Sequence, residues 1–354
     1  MNAISAVEVT RDASGMWMHP GFPWGVVGSA NTLQETIEAM GLEMSCVLME
    51  EDARMPLAQL YATKLDVSLC SQWAPSRPWG DGWFLVSIHD SEDGPCATWV
   101  REVSGRRISP EGRADVEAHL MAELGSMLDL QMTMNEVVNP SWLSAGYPFL
   151  RAVLIEGAEG IEHVGWKWWK AQTPDDAQAR LEVIDKLHFY LSHFIVAGAA
   201  QLGVDRYPDR AARQQIIEAA REIMVTSLRH ELESCVLDFD GMRFAYENLS
   251  VCERFELMAG LAVARRASLR LLIETWVQLG GEGKDLVREY IGKNTLNVFR
   301  ARNGYKEGRY VKEWDGREDN VHLVELLPGI PTEGMYAALW SALEQRYQQL
   351  AGPA

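Results

Sequence analysis

KNTLNVFRARNGYKEGRYVKEWDGREDN, residues 293–320, is the stretch on which the reading of this chain turns. On a helix, Lys293, Asn297 and Arg300 fall at i, i+4 and i+7 and share one face. That face carries two cations and an amide. Asn303-Gly304 stops the helix, because glycine accepts the left-handed conformation that a C-terminal cap needs. Tyr305 and Lys306 follow at once. Cations hold a polyphosphate and an amide holds a sugar hydroxyl, so the run reads as one wall of a nucleotide site. A solvated basic helix is the plainer alternative. Trp314 to Asn320 reads as loop by composition.

The charge of the whole chain sharpens the question. Its formal net charge is −17 over 354 residues, which disfavours nonspecific binding to a nucleic-acid backbone. An acidic protein holds a polyanion only through metal ions or a local basic patch. Apolar residues make up 47% of the chain, enough for ordinary cores, and the length suggests about two domains. The five cysteines, Cys46, Cys70, Cys96, Cys235 and Cys252, form no Cys-x-x-Cys pair. Reduced thiols are therefore expected, without a disulfide framework or zinc site. The apolar runs fall short of the ~20 residues that span a membrane. The opening MNAISAVEVTRDASG has no basic-then-apolar leader pattern, so the expected location is cytoplasmic.

Candidate metal ligands lie upstream. Glu156 and Glu159 lie at i, i+3 in RAVLIEGAEGIEH, and Glu182 and Asp185 at i, i+3 in RLEVIDKLHF. Each pair projects from one helix face. Their neighbours Val153, Leu154, Ile155, Val183, Ile184 and Leu187 are apolar. One such pair is usually a solvated face; two on semi-apolar helices suggest a cage of four carboxylates, the hard oxygen donors that suit Mg²⁺. Gln131 and Asn135, at i, i+4, offer two amides on one face, as a reader of a base edge or as a surface pair. For His188 a satisfied core histidine is favoured over a contact to base or sugar. Phe189 packs in a core or stacks on a base. No P-loop is present.

The chain changes texture along its length. Residues 1–105 read as a small α+β accessory domain. Thr32 and Glu35 have capping-box spacing, opening a short helix through Leu42. Ser45–Met49 and Trp83–Ile88 read as strands, and Cys96–Arg101 returns after the turn at Asp90–Pro95 to close a β-hairpin. Aromatics from Trp73 to Trp83, with His19-Pro20, read as core or as a recognition surface. Residues 106–112 read as a linker, and residues 113–354 as mostly helical. Helices are expected over 113–138, 147–163, 175–202, 208–235, 251–279, 283–302 and 336–350. A Ser250/Glu253 capping box starts the fifth of these, and Gly280-Gly281 ends it.

Residues 115–325 resemble the all-α, dimeric dUTP pyrophosphatases of the MazG-like NTP pyrophosphatase superfamily. The resemblance rests on the ordered run of Glu156-x-x-Glu159, the WKWWK of residues 166–170, Glu182-x-x-Asp185-x-x-His188-Phe189, and KNxLNxFRxxNGYKxGxYxKxWxGxEDN from Lys293. It implies a mainly α fold, an all-α bundle preceded by the small α+β domain. It also implies Mg²⁺-dependent hydrolysis of dUTP, and of dUDP as a further substrate, by a cytoplasmic homodimer. Two or more Mg²⁺ ions would sit on Glu156, Glu159, Glu182 and Asp185, with Glu156 or Glu159 as the base. Substrate would meet Gln131, Asn135, Trp169, Lys170, His188, Phe189, Lys293, Asn297, Arg300, Asn303, Tyr305 and Lys306. The family's LQxxLN stretch has Met134 here in place of leucine. Two alternatives remain: a dCTP or modified-pyrimidine pyrophosphatase on the same scaffold, or an inactive nucleotide- or partner-binding protein. Residues 80–95, GDGWFLVSIHDSEDGP, resemble a stretch of small phage-encoded domains, which suggests a phage source. The N-terminal domain is expected to bind another protein or to regulate.

Overall fold

The structure is a computed structural model that describes residues 4–25, 27, 33–78, 82–102, 108–167, 169–170, 172–207 and 209–350. The chain divides into two units, Met1–Ser104 and Gly105–Ala354. In the first, β1 (Trp17–Met18), α1 (Leu33–Ala39), β2 (Leu42–Leu48), α2 (Met49–Asp52), α3 (Met55–Lys64), β3 (Phe84–Ser91) and β4 (Gly94–Glu102) follow in order. The antiparallel sheet runs β1-β3-β4-β2. Its central strands are buried on both faces. Trp17, Tyr61, Trp73 and Ile88 pack in one core, and Phe22, Ile37, Val86 and Val100 in another. Trp73 and Trp83 are both buried, so these two aromatics of the 73–83 stretch are not part of a recognition surface.

The expected hairpin is present, with Phe84 opposite Val100 and Ser91 opposite Gly94. Strand β2 begins earlier than expected and takes Leu42 from the end of the short helix, which stops at Ala39. Met49 starts α2 instead of ending the strand. Helix α3 was not expected from the sequence. Its N-terminal proline, which lacks only an orphan N–H at that position, is the signal for it. Thr32, the proposed cap of α1, lies outside the described residues, as do 79–81 and 103–107, which take in the first two residues of the expected linker.

The second unit is mainly helical. Helix α4 (Pro110–Val138) starts with the Ser109 hydroxyl accepting from Gly112 N–H and Pro110 in the first turn, so Pro110–Gly112 belong to the helix and not to the linker. Then come α5 (Phe149–His163), α6 (Asp176–Gln201) and α7 (Arg210–Leu232). Strands β5 (Val236–Phe239) and β6 (Met242–Ala245) form a hairpin the helical reading missed. Its turn is Asp240-Gly241, both at positive φ (53° and 77°), the geometry for which Asp-Gly is suited.

The long helix expected over 251–279 is two helices, α8 (Val251–Val263) and α9 (Leu269–Gln278). The Ser250/Glu253 capping box forms as expected. The break arises because Ser268 caps α9 through Leu271 N–H, while the Glu231 carboxylate accepts from Ser268 Oγ and from the N–H groups of Leu269 and Arg270. Apolar periodicity runs through the break, but these caps satisfy the orphan donors of a new helix start.

Helix α10 (Gly283–Arg302) ends at Asn303, and Gly304 has φ +84°, as the sequence indicates. The expected loop 314–320 is instead a two-stranded turn and a helix start. Strands β7 (Glu313–Trp314) and β8 (Arg317–Glu318) pair across Asp315-Gly316, and α11 (Asp319–Leu326) follows, then α12 (Met335–Leu350). The main core joins α4, α6, α8 and α9 around Leu128, Leu187, Tyr190, Phe255 and Trp276. A second core packs α10, α11 and α12 around Phe299, Trp314 and Leu339. No helix among the described residues is long and apolar enough to cross a membrane.

Candidate active site

Helix α5 is pressed onto α8 by its glycines. A Cβ at Gly160 would lie 2.6 Å from the Phe255 ring, and one at Gly157 would lie 3.1 Å from Ala259 Cβ. Glu156 and Glu159 alternate with these glycines along EGAEG. The same helix packs against α6, and there the acids converge. Among the described residues, Glu156, Glu182 and Asp185 offer oxygens that all lie within 4.8 Å of one another. Glu159 is outside this trio and is exposed, so the expected cage of four appears as three converging carboxylates and one flanking them. Ile155 is 51% exposed and Leu154 partly buried, so of the three apolar neighbours on this side only Val153 is fully buried.

Converging carboxylates repel, and their proton affinity shows it. Glu156 is pushed up to about 8 by burial, then by the charges of Asp185 and Glu182. Glu159 is also raised, by burial and then by Glu182. Glu182 is buried, and its Oε2 has no hydrogen-bond partner among the described residues. Its Oε1 lies 3.6 Å from Nε2 of His163, whose pKa is raised chiefly by that contact. An all-oxygen trio with an orphaned lone pair fits a hard divalent cation such as Mg²⁺.

Two neighbours were missed. His163 closes the quoted RAVLIEGAEGIEH run, two turns beyond Glu156, which is the signal that it shares that face. Lys186, four residues after Glu182, is fully buried with its ammonium 4.3 Å from the Phe255 ring centroid and without a hydrogen-bond acceptor among the described residues. Burial pushes it down to about 7, against the pull of Glu182 and Glu156. A buried ammonium without an acceptor costs folding energy. Lys186→Met is therefore expected to raise the melting temperature of the metal-free protein at pH 7 by about 2–8 °C. Scanning calorimetry checks this; a fall would show that the charge is needed to hold the carboxylates together.

The two amides of α4 are not a surface pair. Gln131 and Asn135 are buried. Gln131 Nε2 donates to Asn135 Oδ1 at 3.1 Å and to Ser192 Oγ at 2.9 Å, and Asn135 Nδ2 donates to Ser192 Oγ at 3.0 Å. Tyr290 OH donates to Gln131 Oε1 at 3.1 Å. His188 is buried, with its ring centroid 4.5 Å from that of Tyr290. Its Nδ1 lies 2.9 Å from the Ile184 carbonyl, while Nε2 has no partner among the described residues. Burial pushes it down to about 4. The ring is therefore neutral, with Nδ1–H donating to Ile184 and Nε2 left as an acceptor. It is buried but only half satisfied. Asn294 Nδ2 is buried too and, among the described residues, makes no hydrogen bond of good geometry. Ser192, Tyr290 and Asn294 carried no separate signal in the sequence; their polarity matters only once the helices are packed. Phe189 is partly buried against the main core.

The 293–320 stretch meets this acidic group through Lys293, and two of its cations arrive already engaged. Lys293, 1% exposed, donates to Asp185 Oδ2 at 2.7 Å and to Asn320 Oδ1 at 2.9 Å. Arg300 makes a two-pronged pair with Asp319 at 2.8 and 2.6 Å, and also reaches Asn297 Oδ1 and Asn320 Oδ1. Burial opposes the Arg300 charge, but Asp319 more than offsets it and lifts its pKa. Asn303 Nδ2 donates to the Phe299 carbonyl. Tyr305 and Lys306 are exposed, as are Trp169 and Lys170. The Trp166 and Trp169 rings meet edge to face at 5.1 Å, and Trp168 lies outside the described residues. Lys167 pairs with Glu162.

No curated protein matches the chain. A model of the dUTPase family matches residues 123–305, a segment that holds the amides of α4, the carboxylates of α5 and α6, and all of α10. With more than half of its 354 residues matched and its acids and amides gathered into one helical site, the chain belongs to the dUTPase family.

Proposed function

We propose that the chain hydrolyses dUTP to dUMP and pyrophosphate with Mg²⁺. The observation that carries this is the convergence of Glu156, Glu182 and Asp185 from two helices inside the segment matched to the dUTPase family. These three, with Glu159 beside them, would hold two or more Mg²⁺ ions, which supply neutralisation of phosphate charge and a water of lowered pKa when bound. The protein's own part is positioning and proton transfer. Glu156 or Glu159 takes the proton of the attacking water, the P–O bond to pyrophosphate breaks, and the leaving group departs past Lys293, Lys306 and Tyr305. The amide nitrogen of Asn303 is committed to Phe299, which favours Asn297 as the partner of the deoxyribose 3′-hydroxyl.

His188 supports uracil over cytosine. Its free Nε2 accepts a hydrogen bond, and the imide N–H of uracil donates one there, whereas the corresponding cytosine nitrogen is itself an acceptor. Mass-spectrometric detection of monophosphate from a deoxynucleotide panel tests the reading. Monophosphate from dUTP, with little from dCTP or dTTP, is the expected result. Equal turnover of dUTP and dTTP would sink it, because the pocket must then admit the 5-methyl group.

The family match begins at residue 123, and the unit Met1–Ser104 has its own sheet and cores. We place the accessory domain there and expect deletion of residues 1–105 to leave hydrolysis within about threefold of the full chain. Steady-state rates on the truncated protein check this, and complete loss in a folded truncation would refute it.

A further inference from the structure

The N-terminal unit carries two thiols on one face of its sheet. In the register of β2 and β4, Cys46 stands opposite Thr98, and Leu48 opposite Cys96. Cys96 comes two residues before Thr98, so the two cysteines share a face and are diagonal neighbours, near enough for their side chains to meet. They do meet. The Cys96 thiol donates to Cys46, and Thr98 Oγ1 lies 3.8 Å from Cys46 Sγ. The order β1-β3-β4-β2 puts β2 at an edge of the sheet and β4 inside it. Cys46 is accordingly exposed, whereas Cys96 is only 5% exposed. One thiol of the pair is open to a reagent, and the other is screened from it.

Their contact divides the chemistry between them. Donation from Cys96 holds Cys46 down to about 7, with Thr98 helping and desolvation opposing, and the same contact raises Cys96. A thiol poised near neutral pH is a good attacker of disulfides, because its thiolate is plentiful and still nucleophilic. Cys70, the third cysteine of this unit, is fully buried and raised by that burial. Cys235 and Cys252 lie in the second unit.

We propose that Cys46 and Cys96 form a two-thiol modification site for a low-molecular-weight disulfide, with Cys46 attacking and Cys96 resolving. The Cys46 thiolate attacks one sulfur of glutathione disulfide, the S–S bond breaks, and one glutathione leaves as a thiolate and takes up a proton. Cys96 then gives its proton to solvent, and its sulfur attacks that of Cys46. The second glutathione leaves and is protonated in turn. Two protein thiols are oxidised and one small disulfide is reduced to two thiols. The new bond ties the edge strand β2 to β4. Both cysteines lie outside the segment matched to the family, so the site is independent of the proposed hydrolysis.

Reduced full-length protein is treated with glutathione disulfide near neutral pH and followed by intact mass and by non-reducing peptide mapping. The expected course is a transient glutathione adduct on Cys46, then a product two hydrogens lighter than the reduced chain, with its linked peptides joining Cys46 to Cys96. Cys96→Ser keeps a donor beside Cys46 but cannot resolve the adduct, which is expected to accumulate about tenfold or more over the unaltered protein. Cys46→Ser, a change on the exposed strand, is expected to leave Cys96 unmodified over the same time. Circular dichroism checks that each variant is folded; if Cys96→Ser is not, the linked peptides of the unaltered protein still decide. An unreactive Cys46, an adduct that persists beside an intact Cys96, or links spread over the five cysteines would overturn the proposal. So would modification of Cys96 in Cys46→Ser at the rate seen in the unaltered protein.

Discussion

Glu156→Gln is expected to cut pyrophosphate release from dUTP by on the order of 10³-fold without lowering the melting temperature. The two halves of this expectation have one cause. Glu156 meets Glu182 and Asp185 with oxygens within 4.8 Å, an arrangement that costs the empty protein electrostatic energy and gains its return only from a cation. Glutamine keeps the volume and removes one negative charge. Its amide also offers a donor where Glu182 Oε2 has no partner among the described residues, so folding loses nothing. The site loses a ligand and, if Glu156 is the base, the acceptor for the water's proton. Pyrophosphate release, Mn²⁺ titration and calorimetry on the one variant separate the outcomes. Retained turnover would remove Glu156 from the site. Lost turnover with a collapsed melting temperature would make it a structural residue.

The helical half of the fold was legible because its helices carry their own punctuation. Ser250 with Glu253, Asn303 with Gly304, and the 3.6-residue spacing of α4, α6 and α10 are local signals, and local signals survive into the structure. The breaks at 264–268 and 314–320 were less legible. The first is held in part by Glu231, which lies far away in sequence. The second hid a helix start behind an Asp-Gly turn whose polar letters read as loop. The site divides along the same line. Paired acids at i, i+3 on two semi-apolar helices pointed from sequence to a shared acidic group, and three of the four converge. That Lys293 would be spent on Asp185, and Arg300 on Asp319, could not be read from α10, because both partners come from other elements. Lys186 was hidden for the opposite reason: in IDKLHF it looks like a solvated lysine, and only the packed fold sets its ammonium over the Phe255 ring of α8.

Affinity for Mn²⁺ or Mg²⁺ is expected to rise steeply with pH, by about tenfold per unit below pH 8. The sign follows from Glu156. Its pKa in the metal-free protein is pushed up to about 8 by burial and by the neighbouring acids, so at neutral pH a proton occupies the position a metal ion must take. Each ion bound below that pH displaces the proton, and proton competition fades once the group ionises on its own. Two further groups act in the same direction. Lys186, held down to about 7 by burial, loses its opposing positive charge as pH rises, and His163, raised by Glu182, does likewise. The effect on stability is separate and has its own sign. A glutamate whose folded pKa lies above the ordinary 4.5 stabilises the metal-free fold below that value, and the contribution is lost as pH rises towards 8. Bound metal replaces what is lost, so the rise in melting temperature on adding Mn²⁺ should be larger at pH 8 than at pH 6. Calorimetric titration in buffers of different ionisation enthalpy counts the protons directly. About one or more released per ion near pH 6.5, falling towards none near pH 9, is the expected result. An affinity flat across this range would mean that the ion does not take the place of the Glu156 proton, and that the trio of Glu156, Glu182 and Asp185 is not where it binds.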